Sequence, residues 1–380
     1  MDLQLMKLRL KRLLCPPEVC VGSGSVERLG CLEPARVLVV TGSSAGRTRI
    51  LERVTAQLRN AIAREVMEAG GEPRVATLEA ARAAVTAFAP EWIVAVGGGA
   101  VLDSAKFLWA QFECPDLVLS GSGPLPIGPL RRKARLIAVP TTAGSGSEAS
   151  QAAVLTGEDG TKIPYVSEDW VPDVAILDPL LTVSLPPELT VSTGFDALTH
   201  AVESAVSSLG NTLLCALAAS AVRLLLRHLP AAVENPKNLR AREALLEAAF
   251  LAGLSQSTAS TGAAHALSHA TSKLRGTPHG AGTGFYLLPT MRWNRAKCAT
   301  VYDELAAGCG FADGSALVAA LTDLAARVRL PQTFAELLGS APDAAEREAL
   351  ADVAAKDACL RTNVCRLGTP ELVQVVSEIR

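Results

Sequence analysis

The sequence predicts an α/β lobe on a parallel sheet followed by an all-helical lobe, and three observations carry that prediction. Short continuous apolar runs in the first half each stop at a Gly- or Pro-bearing turn and alternate with helical stretches. Strands buried on both faces read this way. Beyond Pro186-Pro187 the β-branched runs give out and long Ala/Leu-rich helical patterns follow. At 380 residues the chain also exceeds what one core of ordinary size encloses, since domains cluster near ~100–150 residues. We expect lobes of 1–183 and 184–380.

Strands are expected at 36–41 (RVLVVT), ending at Gly42, and at 91–96 (EWIVAV), ending on three glycines. Two more are expected at 135–139, ending at Pro140-Thr141-Thr142, and at 174–177, ending at Asp178-Pro179. Residues 49–70 carry helical spacing through Ile50, Val54, Leu58, Ile62 and Val66. In the second half, helices are expected at 193–209, 211–229, 238–254, 262–273, 300–308, 315–328 and 346–363. Ligands of such sheets sit beyond the carboxyl ends of the strands, so the gap between the lobes is the expected cleft.

Composition narrows the function. The chain is 49% hydrophobic and 19% charged, a folded profile. Lys+Arg number 36 against 38 Asp+Glu, for a formal charge of −2, so no basic excess is available to bind nucleic acid. No uninterrupted apolar run approaches the ~20 residues of a membrane span. The opening MDLQLMKLRLKRLLCPP sets Lys7, Arg9, Lys11 and Arg12 among leucines. It has no continuous apolar stretch or small-residue cleavage site, so an amphipathic strand or helix is expected there, ahead of a transit peptide, and not a secretory signal. The nine cysteines are irregularly spaced and form no CxxC pair, which fits reduced thiols and a cytoplasmic location.

Two turns suit an anionic ligand. Gly97-Gly98-Gly99 follows a strand and opens a helix through Asp103 and Lys106. Glycines admit close backbone approach, and the N–H groups of a helix start attract phosphate. The same turn could need glycine for sterics alone. The second turn runs from Pro140 through Thr141, Thr142, Gly144 and Gly146 to Glu148, with Ser145 or Ser147 as a candidate helix cap. Two such turns at two parallel strand ends fit one extended ligand.

Histidine is scarce, with five in the chain, and four fall within 80 residues. Asp196 and His200 stand four apart in a helical context and so share one face. His265 and His269 repeat the spacing, and His279 follows at a loop or helix start. A carboxylate with imidazoles on neighbouring helices offers O and N donors to a divalent cation. Any one of these histidines alone would read as an ordinary core or surface group; the clustering favours a metal. His228, before Leu229-Pro230, reads as a helix C-terminal residue facing the dipole.

Taken together, these segments resemble the iron-containing (group III) alcohol dehydrogenase family. The resemblance rests on Gly97–Lys106, Pro140–Glu148, Gly194 to Glu203, and His265, His269 and His279-Gly280. Val21 to Ser25, Pro172 to Pro179, Asn235 to Arg242, Pro289 to Asn294, and Asp357 to Asn363 extend it over nearly the whole chain. It implies a Rossmann-like dinucleotide-binding lobe and a helical metal-binding lobe, the architecture shared with dehydroquinate synthases. It further implies that Asp196, His200, His265 and His279 hold Fe²⁺, with Zn²⁺ as the alternative, and that His269 carries a proton nearby. Gly97, Gly98, Gly99 and Asp103 would surround the pyrophosphate, and Thr141, Thr142 and Lys162 would line the nucleotide further along. The implied reaction moves a hydride between NAD(P)(H) and a small alcohol or aldehyde, and the implied assembly is a homodimer.

One departure bears on the cofactor. Many members of the family place Asp after the first strand, where a carboxylate would repel a 2′-phosphate; here Gly42, Ser43 and Ser44 stand there, followed by Arg47. We therefore expect NADP(H) over NAD(H). Lys273 and Arg275, between the last two metal histidines, suit either a solvated loop or an anionic aldehyde bearing carboxylate or phosphonate. Alternatives to the dehydrogenase are a lyase of the dehydroquinate synthase type, a glycerol-phosphate dehydrogenase type of enzyme, and a non-catalytic metal or nucleotide binder. The complete Asp/His set argues against a metal-free relative such as a maleylacetate reductase.

Overall fold

A computed structural model describes residues 12–69, 71–119, 123–124 and 127–379. The N-terminal strand or helix expected from the Lys/Arg/Leu opening falls largely on 1–11, outside the described residues. The strands are β1 (Glu18–Val21), β2 (Arg36–Thr41), β3 (Ala63–Glu68), β4 (Trp92–Gly97), β5 (Gly123–Pro124), β6 (Arg135–Pro140), β7 (Ala152–Thr156), β8 (Lys162–Val166) and β9 (Val174–Leu177). Six of them form one sheet in the order β1-β9-β6-β4-β2-β3, all parallel. The four expected strands stand within one residue of their expected ends.

Burial on both faces explains their continuous apolar sequences. Leu38, Val40, Ile93, Ala95, Leu136 and Ala138 pack in one core. Val37, Val39, Val94, Val96, Ile137 and Val139 pack in another, and none of the twelve is more than 1% exposed. The chain passes from β2 to β3 on one side and then to β4 on the other. That reversal opens a crevice at the carboxyl ends of β2 and β4, where Gly42 and Gly97–Gly99 lie.

The helices of this half are α1 (Ser43–Arg47), α2 (Ile50–Thr55), α3 (Val75–Phe88) and α4 (Gly99–Glu113). The helix expected over 49–70 is therefore wrong beyond Thr55. Residues 63–68 form the edge strand β3, with Val66 opposite Val39. Only the first three residues of the supposed stripe are buried; Ile62 is 71% exposed and Val66 43%. A period-two pattern, half-buried and exposed in turn, was overlaid on a helical one. The small sheet β5-β8-β7, in which β7 and β8 pair antiparallel, was not expected, because Pro164 interrupts the second strand of that pair.

From Pro187 onward the structure is helical: α5 (Pro187–Val206), α6 (Thr212–Glu234), α7 (Leu239–Ala259), α8 (Ala263–Arg275), α9 (His279–Lys297), α10 (Ala299–Cys309), α11 (Gly314–Arg327), α12 (Phe334–Leu338), α13 (Ala344–Ala354) and α14 (Thr369–Ser377). Pro187 itself opens α5, a position that tolerates a missing N–H. Pro230 lies inside α6, so His228 is an interior helical residue rather than the C-terminal one expected. Among the described residues α6 is one helix long and apolar enough to cross a membrane. Its Ala218, Val222, Leu225 and Leu229 are buried in the helical core instead. The single helix expected over 346–363 divides into α13 and a 3₁₀ turn, Ala358–Thr362, capped by Asp357.

Candidate active site

The candidate metal donors come from three helices. Asp196 and His200 lie mid-α5, His265 and His269 lie on α8, and His279 opens α9. Close packing brings α9 to them. A Cβ on Gly280 would stand 2.9 Å from the Ser192 carbonyl oxygen, and one on Gly284 would stand 2.7 Å from Phe195 Cβ. Larger residues there would push His279 away from α5.

The four candidate donors lie close together, three of them in one tight group. Asp196, His265 and His279 present ligand atoms within 4.8 Å of one another. His279 Nε2 is 3.6 Å from Asp196 Oδ1. His200 stands beside this tight group, its Nε2 3.0 Å from His265 Nε2. Asp196, His200 and His265 are buried, and His279 is half-buried.

The second contacts set the proton positions. His265 Nδ1 is 2.6 Å from Glu203 Oε2, and the same carboxylate accepts from Gly262 N at 2.8 Å and Ala264 N at 2.7 Å. Thr283 Oγ1 donates to Asp196 Oδ1 at 2.9 Å. Burial, joined by His200, pushes His265 well below the ordinary histidine value. Burial also takes His279 down to about 3, against the pull of Asp196. Asp196 would rise on burial, yet the imidazoles of His200, His279 and His265 hold it below its usual range. A neutral His265 that donates from Nδ1 to Glu203 aims its Nε2 lone pair at His200. Nδ1 of His200 and of His279 are buried with no hydrogen-bond partner among the described residues. Neutral imidazoles with inward lone pairs around a carboxylate are what a divalent cation requires, so the donor set fits the metal.

His269 sits one turn further along α8, its ring stacked on His279 at 5.2 Å and 24°. Its Nδ1 is 2.8 Å from Asp357 Oδ2, and Asp357 Oδ1 accepts from Cys359 N at 2.8 Å. Burial would raise Asp357, but the His269 contact outweighs it and holds the carboxyl at about 2. Cys359 completes a second cluster with these two. Burial pushes its thiol well above the ordinary value, and a protonated thiol is a poor ligand.

The glycine turns lie side by side. Thr141 N donates to Gly97 O at 2.9 Å. A Cβ on Gly98 would stand 3.3 Å from Thr142 Oγ1, and one on Gly99 would stand 2.6 Å from Ser145 Oγ. Packing of one turn on the other thus accounts for part of the glycine requirement. The second turn opens only a 3₁₀ turn, Ser147–Ala149, with Gly146 rather than a serine at the cap. Asp103 departs from its expected place beside a pyrophosphate. Its carboxylate is buried, accepting from Ser147 Oγ at 2.6 Å and Val154 N at 2.9 Å. It therefore ties α4 to the second turn and β7. Gly42, Ser43 and Ser44 lie at the end of β2, with both serines exposed; the Arg47 side chain is outside the described residues.

A cavity of about 470 Å³ adjoins His269 and Asp357. Lys162, expected along the nucleotide, lines this cavity, with its ammonium on Glu72 and on Thr156 Oγ1 at 3.1 Å. Lys273 lines it as well, 2.7 Å from Asp159 Oδ2. Arg275 does not; its guanidinium is held by Glu346. Three residues that contact the candidate site escaped the sequence reading: Glu203, Thr283 and Asp357. Glu203 carried a signal, standing three residues after His200 on the same helix face. Thr283 and Asp357 carried none.

The chain matches the family described as iron-containing alcohol dehydrogenase over residues 16–179, and its C-terminal counterpart over 190–379. It is similar to an NADPH-dependent butanol dehydrogenase of Clostridium saccharobutylicum, 30% identical over 96% of this chain and 97% of that one. Among solved structures, it is similar to an iron-containing alcohol dehydrogenase from Thermococcus thioreducens at 30% identity, with a TM-score of 0.87, covering 97% of this chain and 99% of that one. A sulfoacetaldehyde reductase from Bifidobacterium kashiwanohense, in complex with NAD⁺, is similar at 28% identity and a TM-score of 0.85, covering 97% of this chain and 98% of that one. Zinc, the alternative raised by the donor set, draws no support from these matches.

Proposed function

This chain belongs to the iron-containing alcohol dehydrogenase family, and from that premise we propose that it interconverts a small aldehyde and its primary alcohol using NADP(H) and one Fe²⁺. The observation that carries the reading is the 3.0 Å approach of His200 Nε2 to His265 Nε2, beside the Asp196 carboxylate. Two imidazole nitrogens held this close, one with its proton fixed toward Glu203, make a cation seat.

Asp196, His200, His265 and His279 would hold the iron. Gly97–Gly99, Thr141 and Thr142 would border the dinucleotide at the carboxyl ends of β4 and β6, and Asp103 would fix the turns rather than touch it. When bound, the cation polarises the substrate oxygen and the nicotinamide gives or takes the hydride. Around them the protein's own groups act. Glu203 fixes the His265 tautomer and Thr283 the Asp196 rotamer. His269 moves a proton to or from the substrate oxygen through its free Nε2, while Asp357 keeps the other nitrogen occupied. A 1–183 nucleotide lobe and a 184–380 metal lobe then meet at the reacting centre.

The NADP(H) preference rests on Gly42, Ser43 and Ser44, which place no carboxylate at the end of β2. Glu68, opposite Thr41 in the register, is exposed on the edge strand. The similar butanol dehydrogenase is NADPH-dependent by name, while the sulfoacetaldehyde reductase holds NAD⁺. The test is oxidation of NADPH and NADH by anaerobically iron-loaded enzyme with short aldehydes. We expect turnover with both and a kcat/KM at least ~10-fold higher for NADPH. A higher value for NADH removes the cofactor preference, and no oxidation of either removes the dehydrogenase.

A further inference from the structure

The cavity beside His269 is lined by four cationic side chains, Lys162, Lys273, Lys356 and Arg361, against one acid, Asp357. Asp357 is already taken up by His269 and the Cys359 N–H. Two of the cations are also neutralised, Lys162 on Glu72 and Lys273 on Asp159. Lys356 and Arg361 are different. Both are exposed, and neither side chain has a hydrogen-bond or ion-pair partner among the described residues. They flank Asp357, Lys356 just after α13 and Arg361 in the 3₁₀ turn Ala358–Thr362.

Like charges gathered on one cavity repel, and an incoming anion relieves that repulsion. Of these cations only Lys162 is expected along the dinucleotide, which leaves Lys356 and Arg361 unaccounted for. The pyrophosphate is expected at Gly97–Gly99, and no residue of either glycine turn lines this cavity. We propose that the cavity is the substrate pocket and that it selects a short aldehyde with an oxyanion at its far end, a carboxylate, sulfonate or phosphonate bound by Lys356 and Arg361. The aldehyde carbon then faces His269 and the metal donors, and the anion faces the mouth. The planar guanidinium of Arg361 can grip two oxygens at once, and Lys356 adds a point charge. This inference rests on the dehydrogenase reading for its reaction, though not for its binding site.

Two readouts keep the inference and that reading apart. In the first, iron-loaded enzyme oxidises NADPH with propanal, butanal, succinic semialdehyde, sulfoacetaldehyde and phosphonoacetaldehyde. We expect one anionic aldehyde to exceed both neutral ones at least ~30-fold in kcat/KM, mainly through KM. The double variant Lys356→Gln/Arg361→Gln should cut the anionic-to-neutral ratio about 10- to 100-fold, the range of charge-assisted hydrogen bonds. Arg361→Lys should recover part of it, and added salt should raise the KM of the anionic aldehyde. In the second readout, phosphonoacetate binding is measured by calorimetry, with no turnover involved. Wild type should bind it at least tenfold more tightly than the double variant. Neutral aldehydes favoured, with a ratio the double variant does not move, overturn the anion pocket and leave the dehydrogenase standing. No aldehyde reduced, but phosphonoacetate bound and lost in the double variant, supports the pocket and sinks the dehydrogenase. Equal phosphonoacetate binding by wild type and double variant overturns the pocket whatever the turnover.

Discussion

His265 and His269 lie one turn apart on the same helix, and each is held at Nδ1 by a carboxylate from elsewhere in the chain. The floor of the cleft and its mouth are thus built from one device, yet the two pairs differ. On the floor, burial drives Glu203 up to about 7 and His265 well down. At the mouth, the contact with His269 keeps Asp357 at about 2, so its charge persists. On the proposed reading, the same residue types therefore yield a neutral ligand in one place and a charge-backed proton carrier in the other. Depth and neighbours decide, with three further donor side chains crowding His265 and a cavity opening beside His269.

Substitutions can break that comparison. Asp196→Ala should have the largest effect, removing the anionic donor on the floor and lowering kcat/KM for aldehyde at least ~1000-fold, since several kcal/mol of charge stabilisation go with the cation. Steady-state kinetics after iron reconstitution checks it. At the mouth, His269→Ala should lower kcat by about 100-fold, the lower end of general acid–base contributions, with iron content unchanged. A loss of iron in that variant would erase the distinction between floor and mouth. Glu203→Gln keeps shape and removes charge, so iron affinity should weaken about 10- to 100-fold, as for other outer partners of ligating histidines. Competition with a chelator measures it, and excess iron should restore most turnover.

A smaller prediction isolates burial from imidazole contact. Glu148, in the second glycine turn, is pushed up to about 7 by burial. The folded state then binds more protons than the unfolded state between the ordinary value of 4.5 and about 7. Its contribution to stability is complete below 4.5 and is lost as the pH rises through 7. Glu148→Gln should flatten that loss, by up to a few kcal/mol. Thermal unfolding of both proteins from pH 5 to 8 is the check, and parallel curves would contradict it.

Much of this was legible in the sequence. Four strands were plain because burial on both faces leaves no polar residue to blur them. The edge strand β3 was not, since its exposed face let a helical stripe be drawn through Ile62 and Val66. Helix α9 was hidden by its own function, because Gly280, Gly282, Gly284 and Pro289 make poor helix signals while letting His279 reach Asp196. The four proposed metal donors stood out because histidine is scarce. Glu203 and Asp357 did not, being two of 38 acids whose partners lie 62 and 88 residues away. Asp103 was placed correctly on its helix but aimed wrongly, since a motif fixes a position and only the packing of Ser147 and Val154 fixes a direction.

The account stands on a single cation held by Asp196, His200, His265 and His279. Its most direct test is iron content after anaerobic reconstitution and desalting, in wild type, His279→Ala and His269→Ala. One Fe²⁺ per chain in wild type and His269→Ala, with none in His279→Ala, is the predicted result. Iron retained in full by His279→Ala, or absent from wild type, would contradict it.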